Sequence, residues 1–444
     1  MLKRLHARLG DFWWYSLMIF VACRSGDAIQ AFIGLWLVPK YVGTEELGAV
    51  LPLQQLSGLF TVPLAVLATV FAKYVNVYAT RGEFGKVRCL VRDVLVASAA
   101  LFAVCIGAAY LVVPFFYERL RVVSGSLTAL VLAAGFAGNV ASLFTSALQG
   151  LKMFKTITVQ NLVSAPIRLV TLLVAMPVRA LSGYVLGQTT PPAACSLLAF
   201  GSLRRRLAPH PCDPSWRRDL PEIGRYGLPV ALYLVAMALL STVSPTVCRQ
   251  RLPELESSAL YLLSRFAELA GYVGFSMMTV LVPLSSEAHE RETENPKLLR
   301  HSLAATALCT FALAGMAALL SPRLLSLTAT WREYLAFAPL LAPLTLIAGA
   351  STIIATAVAY EMACRRFAAA TFVVVANLAL AGFLVAFTGC EFFRGPLPDA
   401  IVDWMSSLRI ARLPAILWAT GGATFTQILL LPLFCKPLRK PFSR

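Results

Sequence analysis

Charge is what this sequence has least of. Asp, Glu, Lys and Arg make up 14% of its 444 residues, against roughly a quarter in soluble domains. A chain so poor in charge cannot cover a water-facing surface of its own size, which excludes an ordinary soluble domain. Histidine is nearly missing: the four present (6, 210, 289, 301) all fall between apolar runs, which excludes a histidine proton relay inside them. The ten cysteines are scattered, with no CxxC spacing and no cluster. That pattern offers neither a disulfide framework nor a zinc site. No metal or other cofactor is expected.

What fills the space is apolar sequence. Hydrophobic residues reach 58% and the mean hydropathy is +0.72. A spanning helix needs about 20 mostly apolar residues, and twelve segments qualify: 12–38, 47–72, 93–113, 125–148, 157–177, 181–203, 227–247, 259–284, 302–320, 334–358, 368–388 and 412–435. The expectation is an all-α polytopic membrane protein with 12 transmembrane helices. The segment beginning at Cys390, CEFFRGPLPDAIVDWMSSLRIAR, is the longest outer loop and reads as an interfacial cap.

Orientation follows from the basic residues, because Lys and Arg in short loops stay on the cytoplasmic side. With the N-terminus inside, 25 of the 39 fall in cytoplasmic loops and tails and 11 in outer loops. Both termini then face the cytoplasm. The formal net charge of +17 is accounted for by this bias and by a surface suited to anionic headgroups, so the bilayer and not nucleic acid is the expected partner. The opening MLKRLHARLGDFWWYSLMIF has a basic start and an apolar run, yet Arg24 and Asp27 stand where a signal-peptide cleavage region would be. It reads as a retained first helix anchored by Trp13, Trp14 and Tyr15.

The basic, Pro-containing segment 204–226 divides the spans six and six. The expected organisation is an N-terminal six-helix bundle (1–203), a basic cytoplasmic linker (204–226) and a C-terminal bundle with a basic tail (227–444). PLAVLATVFAKYVNVYATRGEFGKVRCLVR from Pro63 parallels GFSMMTVLVPLSSEAHERETENPKLLRHSL from Gly274 at an offset of about 210 residues. Such duplication predicts two bundles related by a pseudo-two-fold axis, with a substrate site at their interface.

Three arginines stand inside apolar segments: Arg24, Arg168 and Arg265. A charge at mid-span costs about 2.5–3.5 kcal/mol on insertion scales, so these residues mark function or a paired structural role. Helical spacing groups Tyr261, Arg265, Glu268, Tyr272 and Ser276 on span eight, Arg24, Asp27, Gln30 and Gly34 on span one, and Thr158, Asn161, Ser164 and Arg168 on span five. Lipid accepts none of these faces. They would line a central cavity carrying three arginines against two acids, or they are ion pairs that lock the packing: Arg24 with Asp27 and Arg265 with Glu268 have the spacing for it. Guanidinium binds phosphate bidentately and stays charged. The expected substrate-binding residues are therefore Arg24, Arg168, Arg265, Tyr261, Glu268, Tyr272 and Asn161, for a diphosphate and its sugars. Asp27 is a candidate for ion coupling.

YVGTEELGAVLPLQQL after span one, LFTSALQGLKMFKTITVQNLVSAPIRLV (143–170) and ALYLLSRFAELAGYVGFSMMTVLVPLSSEAHERE (259–292) resemble the polysaccharide flippases of the MOP (MATE-like) superfamily, the Wzx-type exporters of O-antigen and capsule repeat units, with the lipid II flippase as a cousin. Tyr261 to Arg265 match a tyrosine-rich, arginine-bearing helix start of that cousin, and Arg24 with Asp27 to Ile29 an arginine followed by Asp-Ala-Ile, here with Ser25 and Gly26 intervening. The resemblance implies a cationic cavity, alternating access, and export of undecaprenyl-diphosphate-linked oligosaccharide across a bacterial inner membrane beside a polymerase and glycosyltransferases. Two alternatives are a MATE-type efflux antiporter for organic cations, which favours an acidic cavity, and a membrane enzyme acting on lipid-linked sugars, which needs a catalytic base or metal site. No enzymatic activity is expected.

Overall fold

A computed structural model describes residues 14, 17–18, 21–22, 26, 29, 32–33, 37–41, 44–120, 125–293, 296–327, 329–388 and 413–435. Long apolar runs leave the backbone one economical way to satisfy its polar groups in lipid, the helix, and helices are what form. They are α1 (Thr44–Thr80), α2 (Phe84–Leu120), α3 (Gly125–Gly150), α4 (Phe154–Leu207), α5 (Leu220–Arg251), α6 (Glu254–Ala267), α7 (Tyr272–Glu290), α8 (Pro296–Ser326), α9 (Leu341–Ala363), α10 (Ala368–Thr388) and α11 (Leu413–Phe434). Among the described residues seven helices are long and apolar enough to cross a membrane singly, and α6 with α7 makes a further, broken span. The segment 390–412, read as an interfacial cap, and both chain ends lie largely or wholly outside the described residues.

The helix α4 is 54 residues long, yet it is two antiparallel limbs, because the backbone leaves helical geometry at Arg179 and Ala180. Gln160 donates to the carbonyl of Cys195 at 2.7 Å, and the Thr190 hydroxyl meets that of Thr171 at 3.1 Å. Glycine permits the close approach: a Cβ on Gly183 would lie 2.3 Å from the carbonyl oxygen of Ala175. The limbs coincide with the expected spans five and six.

Four loops at the basic end repeat one device. Gly82, Lys152, Glu292 and Arg365 all have positive φ, at 76°, 55°, 57° and 55°. Each carries the paired hydrogen bonds of a Schellman cap: Glu83 N to Tyr78 O (2.9 Å), Met153 N to Leu148 O (2.8 Å), Thr293 N to Ala288 O (2.8 Å) and Arg366 N to Glu361 O (2.8 Å) close the longer ring. Gly82 and Glu292 stand 210 positions apart, Lys152 and Arg365 213. The repeat seen faintly in side chains is thus written clearly in the backbone, since a cap conserves geometry without requiring residue identity.

Burial is unequal along the spans. One buried cluster at the basic end draws on both halves, with Phe71, Tyr74, Val75 and Tyr78 packed among Val280, Leu281, Ile354 and Val358. At the opposite end the core is split. One cluster (Val243 to Leu417) belongs wholly to the C-terminal half, and the other (Ile33, Val131, Leu172, Tyr184 and neighbours) belongs to the N-terminal half apart from Tyr261. The halves therefore share one core at the basic end, while at the other end each has its own cluster and Tyr261 bridges them.

The segment 204–226 is folded rather than slack. Arg88 donates to the carbonyls of Ala208 (3.0 Å) and His210 (2.6 Å), His210 stacks on Phe84 with centroids 5.0 Å apart, and Arg217 pairs with Asp93 at 2.8 Å. Asp213 caps the short turn Pro214–Asp219 by accepting from the Ser215 backbone at 2.9 Å. That N–H and the Ser215 hydroxyl hold its carboxyl below the ordinary range. The segment rides on α2.

Candidate functional site

Span eight carries the most informative charge. The α-helix α6 stops at Ala267 and a 3-10 turn, Glu268–Gly271, leads into α7, the two flanking segments meeting at a 43° bend. The reading of Tyr261, Arg265, Glu268, Tyr272 and Ser276 as one continuous stripe is corrected by this turn: a 3-10 residue advances about 120° instead of about 100°, so four of them rotate Tyr272 and Ser276 off the earlier face. Ser276 is buried and its hydroxyl returns to the Tyr272 carbonyl at 3.0 Å.

Arg265 Nη1 donates to both carboxylate oxygens of Glu268, each at 3.1 Å. The ion-pair alternative is therefore present in this structure. Arg265 is 17% and Glu268 41% exposed in their side chains, so this is a part-buried pair inside a span. Arg265 also lies over the ring of Tyr261, 5.1 Å from its centroid. Cation–π attraction of this kind contributes about 0.5–2 kcal/mol. Tyr261 is fully buried, at 0% exposure, inside the cluster of the opposite half that holds Tyr184. It ties Arg265 to that half.

The structure thus brings Tyr261, Arg265 and Glu268 together. Asn161 and Arg168 lie on the first limb of α4, in the N-terminal half, where both are half-buried. The first span packs on the same stretch: a Cβ on Gly26 would lie 3.6 Å from Ala165 Cβ and 3.9 Å from the Asn161 carbonyl. Arg24 and Asp27 lie outside the described residues.

Sequence reasoning read the basic-end cations as topology signals and missed what they hold. Arg81 pairs with Glu290 at 3.0 Å and Lys152 with Glu287, each from one half to the other. Arg365 joins Glu222 at 2.6 Å and Glu290 at 3.1 Å. Burial works against its charge, but the two carboxylates prevail and hold the guanidinium more firmly protonated than usual. Lys73 is 4% exposed. It donates to the Ala363 carbonyl at 3.0 Å and sits 4.2 Å from the Tyr226 ring centroid, so an N-terminal-half cation caps the end of α9 in the other half. The usable signal was Glu287 and Glu290, one turn apart, the first two of four acids (with Glu292 and Glu294) in the segment 285–301.

Helices that cross a membrane repeatedly, in two halves that share a core at the basic end and meet at the other through Tyr261 beside Arg265, define a multi-pass membrane protein. Solved structures agree on the fold. A mutant of the Vibrio cholerae MATE transporter VcmN superposes with a TM-score of 0.69 at 14% identity, covering 99% of this chain and 98% of that one. A MOP superfamily transporter from Pyrococcus furiosus, described as having a binding pocket of reverse polarity, gives 0.69 at 13%, covering 97% and 98%. An outward-facing multidrug resistance MATE family transporter gives 0.67 at 12%, covering 98% of each. No curated protein matches the sequence. The family model for polysaccharide biosynthesis proteins matches residues 16–289, and the chain belongs to that family.

Proposed function

We propose that the protein is a flippase that moves undecaprenyl-diphosphate-linked oligosaccharide repeat units from the cytoplasmic to the outer leaflet of a bacterial inner membrane, for surface polysaccharide synthesis. The observation that carries this reading is Arg265, a guanidinium held inside a span by Tyr261 and Glu268 where the two halves meet. The basic end and both termini are placed in the cytoplasm, as the charge bias argues. The halves are taken as 1–203 and 227–444, joined by 204–226.

In this reading the Arg265 fork engages the diphosphate while its Tyr261 partner contacts the other half, so a bound anion and the closure of the outer side compete for the same group. Arg168 and Asn161, on the limb of α4 against which Gly26 of the first span packs, are proposed as further substrate contacts, together with Arg24 and Tyr272. Export needs no separate fuel: each negative charge leaving the cytoplasm gains about 2.3 kcal/mol per 100 mV. Asp27 remains the candidate for added ion coupling. A polymerase and glycosyltransferases would supply and consume the cargo.

Translocation of a fluorescent undecaprenyl-diphosphate oligosaccharide in proteoliposomes tests this, with wild type beside Arg265→Ala, Arg265→Lys and Arg24→Ala. The expected result is loss of transport in Arg265→Ala at normal membrane insertion, and partial recovery in Arg265→Lys, which restores charge without the fork. Full transport by Arg265→Ala would leave the residue a structural ion-pair partner. A wild type that ignores the lipid and extrudes a cationic dye would make this a cation efflux protein.

A further inference from the structure

The basic end holds a pocket that the transport reading does not use. Its volume is about 200 Å³, room for a phosphate group with some water, and its wall includes Asn76, Thr80, Lys152, Arg206, Glu287 and Arg291. Three cations converge there from three segments: Lys152 from the cap after α3, Arg206 from the end of α4 and Arg291 from the end of α7. One carboxylate answers them. Glu287 pairs with Lys152 and, at 2.9 Å, with Arg291, while Arg206 lies over the Phe84 ring, 5.7 Å from its centroid. The lining therefore carries two positive charges in excess. Asn76 also lines the wall, its amide fixed by donating to the Gly150 carbonyl at 3.1 Å.

We infer that this pocket binds a phosphate group at the membrane surface and that the bound phosphate clamps the two halves together. Guanidinium and ammonium groups around a small polar cavity select phosphate over carboxylate through charge and number of acceptor oxygens. The clamp follows from ownership. Lys152 and Arg206 belong to the N-terminal half and Arg291 to the C-terminal half, so an anion shared among them exists only while the basic end is closed. Glu287 already does this in part, as a built-in carboxylate between Lys152 and Arg291. A phosphate adds the third cation, Arg206. The phosphate chemistry is the same whether it comes from an anionic lipid headgroup or from solution.

The full chain is purified and studied in two settings. In detergent, inorganic pyrophosphate is titrated by calorimetry. In nanodiscs of phosphatidylglycerol or phosphatidylcholine, thermal unfolding and the rate of thiol labelling of buried Cys364, at the closed junction, are compared. The expected result is that pyrophosphate, phosphatidylglycerol or both raise the melting temperature and slow Cys364 labelling several-fold. Arg206→Gln and Arg291→Gln should weaken the response at least tenfold, and Arg204→Gln, the same charge change outside the pocket wall, should leave it intact. A response to phosphatidylglycerol alone identifies a lipid headgroup, and a response to pyrophosphate identifies free phosphate as a ligand. No response to either, or equal loss in Arg204→Gln and Arg206→Gln, overturns the proposal, the latter because it would reveal only diffuse attraction to surface charge.

Discussion

At the scale of single residues, the caps expose a tension between backbone and side chain. Lys152, Glu292 and Arg365 occupy left-handed conformations that glycine takes in the first cap, at a cost of about 1–2 kcal/mol for a residue with a Cβ. Lys152 and Arg365 use the position to deliver an ion pair. Glu292 is exposed, so nothing comparable offsets its strain. Glu292→Gly should therefore stabilise the protein by about 0.5–1 kcal/mol, read as a rise in the midpoint of thermal unfolding in detergent with transport unchanged. A fall would mean that the Glu292 side chain contributes more than its backbone costs.

At the scale of the element, the hairpin inside α4 depends on two limbs touching through glycine. Gly183→Ala places a Cβ 2.3 Å from a backbone oxygen, which cannot rotate away as a side chain would. The limbs must separate, at about 1–3 kcal/mol. Gly201 lies on the same second limb with nothing within 4 Å of its Cβ position, so Gly201→Ala should be neutral or stabilise by about 0.5–1 kcal/mol. Thermal unfolding of the two variants side by side separates close approach from helix propensity. Equal effects would show that the limb contact contributes nothing. Span eight makes the complementary point: its apolar content predicts one helix, and the 3-10 turn at Glu268–Gly271 re-aims half of its polar face.

At the scale of the molecule, the basic end is a latch between halves. Arg81 with Glu290 is half exposed, and such a pair is worth about 0–1 kcal/mol. The proposed transport requires two states, and about 1.4 kcal/mol shifts their ratio tenfold. Arg81→Glu places two acids together and should open the basic end, raising the labelling of Cys364 several-fold. The double variant Arg81→Glu with Glu290→Arg should restore slow labelling if the pair acts between halves. Failure of the swap to restore it would assign the effect to Arg81 alone. Lys73→Ala should open the same junction, since it removes the donor that caps α9.

The sequence by itself determined the membrane class and the helical character of the apolar runs, for a physical reason: lipid allows little besides helices, so a long apolar run already specifies one. It also marked Arg265 and its partners Tyr261 and Glu268, because a charge inside a span is costly wherever it sits and helical spacing names its neighbours. Only tertiary structure decided what the charges face. That Tyr261 belongs to the core of the opposite half, that Lys152 reaches Glu287 and Arg81 reaches Glu290, and that the core is shared at one end and divided at the other all depend on how two halves dock. Docking angle is set by packing between residues some 200 positions apart, which no local pattern of hydropathy or charge encodes.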